Sequence, residues 1–107
     1  MSTRLRQNWA FLNLLATAST KQRKALLETS SLQQFKTLLE VIYNVIHNRT
    51  VLPSDDYIRN LYKYRHLLRR LTKRTGRDKK SQVLKRHGFI QPLLKPLLPS
   101  LKNNHVD

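Results

Sequence analysis

The sequence predicts an all-α single domain, a bundle of three to five helices with a basic C-terminal half and a Leu/Pro tail. Three observations lead there. Apolar residues recur at three- and four-residue steps, and strand-like alternation is not sustained anywhere. Only two glycines and four prolines occur in 107 residues, too few for the turns of a β-sandwich. Leu, Ile, Val and Phe supply 32 residues, above the roughly 20% below which high charge means disorder. A chain of this length buries only about two-thirds of its unfolded surface, so the expected core is modest.

The first helix is expected over residues 4–16, where Leu5, Trp9, Leu12 and Ala16 follow helical spacing. Ser19-Thr20-Lys21-Gln22 fits a capping box and opens a short helix to Glu28. Ser31-Leu32-Gln33-Gln34 fits the box again and opens the strongest helix, residues 32–48. There Leu32, Phe35, Leu38, Leu39, Ile42, Tyr43, Val45 and Ile46 fall in one arc about 160° wide. Gln33, Lys36, Thr37, Glu40, Asn44 and His47 form the opposite, polar face. This is the expected core helix.

Residues 48–53 read as a connection. Ser54 is the expected cap of the next helix, with Asp55 and Asp56 at the positive end of its dipole. That helix is expected over 55–75, stopped by Gly76. A weaker helix follows over 78–87, stopped by Gly88. In the tail, Pro96 and Pro99 argue against a continuous helix. The expected organisation is a helical domain over 1–88 and an apolar tail over 89–107.

Charge separates the two halves. Residues 1–53 carry seven basic and two acidic side chains; residues 54–107 carry fourteen and four. Between Arg59 and Arg86 there are twelve Lys/Arg and one acid, Asp78. Like charges at this density need solvent or a polyanion to compensate them. On the 55–75 helix, Tyr57, Leu61, Tyr64, Leu67, Leu68 and Leu71 form an inward face. The other half shows Arg59, Tyr62, Lys63, Arg65, His66, Arg69, Arg70, Lys73 and Arg74, and Arg77, Lys79, Lys80, Lys85 and Arg86 continue the charge. Cations at these spacings neutralise successive phosphates, and Tyr62 offers a ring for an unpaired base. Lys36 and Arg49 lie outside this stripe. A merely solvated face is the competing reading, but such faces usually mix both signs. Nonspecific phosphate contact is favoured over base reading, since the 48–53 connection exceeds a helix-turn-helix turn.

Catalysis finds no support. His47, His66, His87 and His105 lack metal-site spacing, no glycine-rich phosphate loop exists, and no cysteine supplies a thiolate. No cofactor or metal is expected. Phe89, Ile90, Leu93, Leu94, Leu97 and Leu98 either pack on the bundle or dock a capsid protein, another partner or a membrane surface. No secretory signal is recognisable, because Asn8 and Asn13 interrupt the apolar stretch; an acid-free, Arg-bearing start leaves a mitochondrial presequence as a minor alternative. Residues 69–80 resemble a bipartite nuclear localisation signal.

The order of segments also resembles a family. Lys21-Gln22-Arg23-Lys24-Ala25-Leu26-Leu27 precedes the apolar helix. After Pro53 come Tyr62-Lys63-Tyr64-Arg65-His66-Leu67-Leu68-Arg69-Arg70-Leu71, basic residues to Arg86, then Gly88-Phe89-Ile90 and the Leu/Pro tail. This order resembles small basic proteins of adintoviruses and Polinton/Maverick virus-like DNA transposons, likened to adenovirus core protein X (mu). Those proteins often show Gly-Gly-Phe where this chain has His87-Gly88-Phe89, and a glycine-rich tail where this one carries Pro92, Pro96 and Pro99. The resemblance implies a virion core protein that condenses double-stranded DNA in a host nucleus. Two alternatives stand beside it: an interaction module for an acidic protein or capsid interior, and a membrane-active virion protein.

Overall fold

Polar side chains start four of the helices. In the structure, a computed structural model that describes residues 2–47, 52–73 and 78–103, the Ser2 hydroxyl accepts the Leu5 N–H at 3.1 Å and opens α1 (Thr3–Gln7). The expected 4–16 helix breaks at Asn8, whose backbone leaves the helical region at φ −112°, ψ 19°. Its backbone N–H at 3.1 Å and its side-chain amide at 2.9 Å both donate to the Arg4 carbonyl, which closes the end of α1. α2 (Trp9–Thr17) follows at once. The Ser19–Gln22 box opens α3 (Thr20–Glu28), and the Ser31–Gln34 box opens α4 (Leu32–His47). Both expected boxes are therefore present.

The long basic helix is divided. α5 (Asp55–Leu61) passes through a 3-10 turn at Tyr62–Tyr64 into α6 (Arg65–Leu71). Each 3-10 residue advances about 20° more than an α-helical one, so the turn rotates α6 by roughly 60° relative to α5. Tyr57, Leu61, Leu67, Leu68 and Leu71 all end up buried. Ser54 precedes α5 without a side-chain capping bond. Asp78 instead caps α7 (Lys79–Lys85), accepting the Ser81 N–H at 3.1 Å. α7 stops at Lys85, and Gly88 lies inside a 3-10 turn, His87–Phe89, rather than acting as a helix stop. Gly76 and most of the expected 48–53 connection lie outside the described residues.

The largest correction concerns the tail. It forms a continuous helix, α8 (Ile90–Asn103), despite Pro96 and Pro99 inside it. Phe89, Ile90, Leu93, Leu94, Leu97 and Leu98 are 0–3% exposed and sit in the core, with α8 against α2 and α5. They are thus not an exposed docking or membrane segment, and residues 89–102 are not separate from the helical domain. The reason is geometric. Pro92, Pro96 and Pro99 recur at helical spacing on the face opposite the leucine pairs, and Pro96 and Pro99 are exposed, so the carbonyls they leave unbonded lie on the water side. Each interior proline costs about 3 kcal/mol. Burial of each Leu, Ile or Phe contributes about 1.5–3 kcal/mol, so six of them outweigh two prolines. The Tyr57 hydroxyl also donates to the Leu93 carbonyl at 2.7 Å, next to the break in the ladder. Burial holds that phenol protonated, well above its ordinary range.

The molecule is all-α, more finely divided than three to five helices, with no strand among the described residues. α4 packs on α6, and α3 on α7. Within α4 the buried arc differs from the expected one. Thr37 and Val41 are 0% and 1% exposed, whereas Leu32 and Tyr43 are 66% and 49% exposed. Thr37 tolerates burial because its hydroxyl donates to the Gln33 carbonyl at 2.7 Å.

A buried cation joins α3 to the turn before α8. Arg23 is 5% exposed, and its Nε–H donates to His87 Nδ1 at 3.1 Å, which requires a neutral imidazole. Burial lowers the His87 pKa, and the charges of Arg23 and Lys24 push the same way. The unfolded chain binds this proton near about pH 6.5 while the folded chain does not, so stability falls as pH drops through that value and the loss is complete below the folded pKa. The thermal midpoint should therefore fall between about pH 7.5 and about pH 5.5. His87→Gln, which keeps an acceptor for Arg23 but cannot titrate, should flatten that fall. Equal pH dependence in both proteins would show that the contact does not control it.

Candidate nucleic-acid interface

The basic segment follows one path through the fold. α5 carries Arg59, the 3-10 turn carries Tyr62 and Lys63, and α6 carries Arg65, His66, Arg69 and Arg70. Lys73 follows α6, α7 carries Lys79, Lys80 and Lys85, and Arg86 comes directly after it. Arg74 and Arg77 lie outside the described residues, as do Arg49 and His105.

The carboxylates do little to compensate this charge. Asp78 is a helix cap, and Glu40 accepts the Ser2 hydroxyl at 2.9 Å. Among the described residues the one ion pair joins Arg59 to Asp56 at 3.0 Å, with side chains 77% and 75% exposed. A pair so exposed is weak and exchangeable. Other cations are tied to rings or main chain. The Arg65 guanidinium lies 4.0 Å from the Tyr62 ring centroid and donates to the Tyr62 carbonyl at 3.0 Å, which covers one face of the ring. Lys63 lies 5.1 Å from the Tyr64 ring. Lys79 donates to the Lys73 carbonyl, and Lys80 to that of Ser30 at 3.3 Å. Arg69, Arg70, Lys73, Lys85 and Arg86 are exposed with no carboxylate paired to them among the described residues.

Five of the side chains expected to form a single stripe divide between two grooves. One groove, of about 350 Å³, has an apolar floor of Val45, Ile46, Ile58, Leu61 and Leu68, with Tyr62, Arg65 and Arg69 on its rim. The other, of about 290 Å³, brings Lys73 and Lys79 together with Arg4, Lys36 and Tyr43. The reading that placed Lys36 outside the basic surface is therefore corrected. Lys36 belongs to α4, and the packing of α4 on α6 carries it to the end of the basic helix. Only the exposure of Tyr43 within an otherwise apolar arc distinguishes this face, and periodicity alone does not reveal that exposure.

Among the described residues no three His, Asp or Glu side chains gather to hold a metal ion, and no helix is long and apolar enough to cross a membrane. No family model, curated protein or solved structure matches the chain.

Proposed function

We propose that the chain is a non-enzymatic nucleic-acid-binding protein that grips the phosphate backbone, double-stranded DNA foremost, and condenses a genome as a virion core protein of a virus-like element. One observation carries the reading: Arg69 and Arg70 on α6, Lys73 just after it, Lys85 at the end of α7 and Arg86 after that all stand exposed, unpaired with any carboxylate among the described residues. Such cations gain most by displacing the counterions condensed on a polyanion. The resemblance to the adintovirus and Polinton proteins supports the same function, with the virion and host nucleus as its setting. The alternative of a docking module loses its strongest support because the leucines of α8 are already buried.

The test is binding to two unrelated duplexes of equal length at low salt. Saturable binding with nearly equal affinities is expected, because phosphate contacts carry no sequence information. Absence of binding would refute the proposal. A preference of roughly tenfold or more for one duplex would show base reading instead.

A further inference from the structure

The groove between α1, α4 and the α6–α7 region combines two features that nucleic-acid backbones and bases recognise separately. Arg4, Lys36, Lys73 and Lys79 surround it, opposed by the single carboxylate of Glu40. Glu40 is engaged by the Ser2 hydroxyl at 2.9 Å. The apolar floor is Leu39 and Leu71, and Tyr43 stands in the wall. The Tyr43 ring is 49% exposed and braced by His47, with ring centroids 4.3 Å apart. An exposed aromatic in a wall of cations is what an unpaired nucleotide needs, with phosphates on the charges and the base against the ring. A duplex keeps its bases stacked on one another and offers none to Tyr43. The groove volume, about 290 Å³, falls just below that of clefts for drug-sized ligands, roughly 300–1,000 Å³. That size suits a single base with its flanking phosphates.

We infer that this groove, Arg4, Lys36, Lys73 and Lys79 around the exposed Tyr43 ring, is a binding site for a single-stranded nucleic acid, distinct from the exposed Arg69 and Arg70 of α6 to which the duplex is assigned. The inference rests on the nucleic-acid reading above and adds a second mode to it. The phosphates lie on Lys36, Lys73 and Arg4, while one base stacks on Tyr43 on the side away from His47.

The test compares a labelled oligothymidine single strand with a random-sequence duplex of the same length, using wild type, Tyr43→Leu, Lys36→Gln and the Arg69→Gln/Arg70→Gln double variant. Tyr43 and Lys36 are exposed, so both single variants should keep the wild-type helical circular dichroism spectrum. Tyr43→Leu is expected to weaken single-strand binding about tenfold and to leave duplex binding within about twofold of wild type. Lys36→Gln should act in the same direction and reduce the salt dependence for single strand. The Arg69/Arg70 variant should weaken duplex binding. Unchanged single-strand affinity in Tyr43→Leu, or an equal loss on both ligands, would overturn the groove assignment. So would a wild-type protein that binds duplex alone, and that result would leave the backbone-binding function intact. A protein that binds neither ligand would overturn both.

Discussion

A chain that ends at Gly88 will not fold. Its loss includes Phe89, Ile90, Leu93, Leu94, Leu97 and Leu98, all 0–3% exposed in the intact protein. At about 1.5–3 kcal/mol each, their burial is worth roughly 9–18 kcal/mol. That is as large as the entire net stability of a domain of this size, at the lower part of the usual range of about 5–15 kcal/mol. The truncation also removes the Leu93 carbonyl and leaves the buried Tyr57 hydroxyl without its acceptor. Circular dichroism of the shortened chain should show low helicity and no cooperative thermal transition. A cooperative, strongly helical product would mean that residues 1–88 form a domain by themselves and that α8 is an appendage.

Replacing Arg69 and Arg70 together with Gln will weaken binding to every duplex alike and make its salt dependence shallower. Each phosphate contact contributes about −0.9 to the slope of log affinity against log salt, so removal of two should change it by about 2. Both side chains are exposed on α6, between the buried Leu68 and Leu71, and the buried face is untouched. Thermal stability should therefore remain close to wild type. Arg59 is a poorer target, because its pairing with Asp56 mixes a local helix contact into the result. An Arg69/Arg70 variant with unchanged affinity and slope would remove α6 from the binding surface.

Local chemistry was the legible part of the fold. Both Ser–Gln capping boxes can be read from four residues each, and α4 emerges from its period. The break at Asn8 is harder to read, because an asparagine within an apolar stretch is compatible with an intact helix, as Asn13 shows inside α2 with the same side-chain bond to the carbonyl four residues back. The proline-bearing α8 shows local propensity yielding to burial. Prolines forbid single hydrogen bonds, while the leucine pairs between them carry the larger energy once α2 and α5 supply a surface. Thr37 shows the same override on a smaller scale, since a threonine can satisfy its hydroxyl on its own helix and then pack like a valine.

The cations of the candidate interface were legible as a set, because charge density is a property of the sequence. Their grouping was not. Lys36 lies on α4 and Lys73 just after α6, and only the packing of α4 against α6 puts them on one groove. Arg65 likewise reads as one more phosphate ligand until its stacking on Tyr62 is seen. Sequence spacing reports what shares a helix face, and tertiary packing decides which faces meet.

The most direct test of the central claim is a titration of the intact protein with random-sequence duplex DNA across a salt series. If five or six exposed cations engage phosphates, log affinity should fall linearly with log salt at a slope of roughly −5. A slope near zero, or no saturable binding at low salt, would contradict the claim that this basic surface exists to hold nucleic acid.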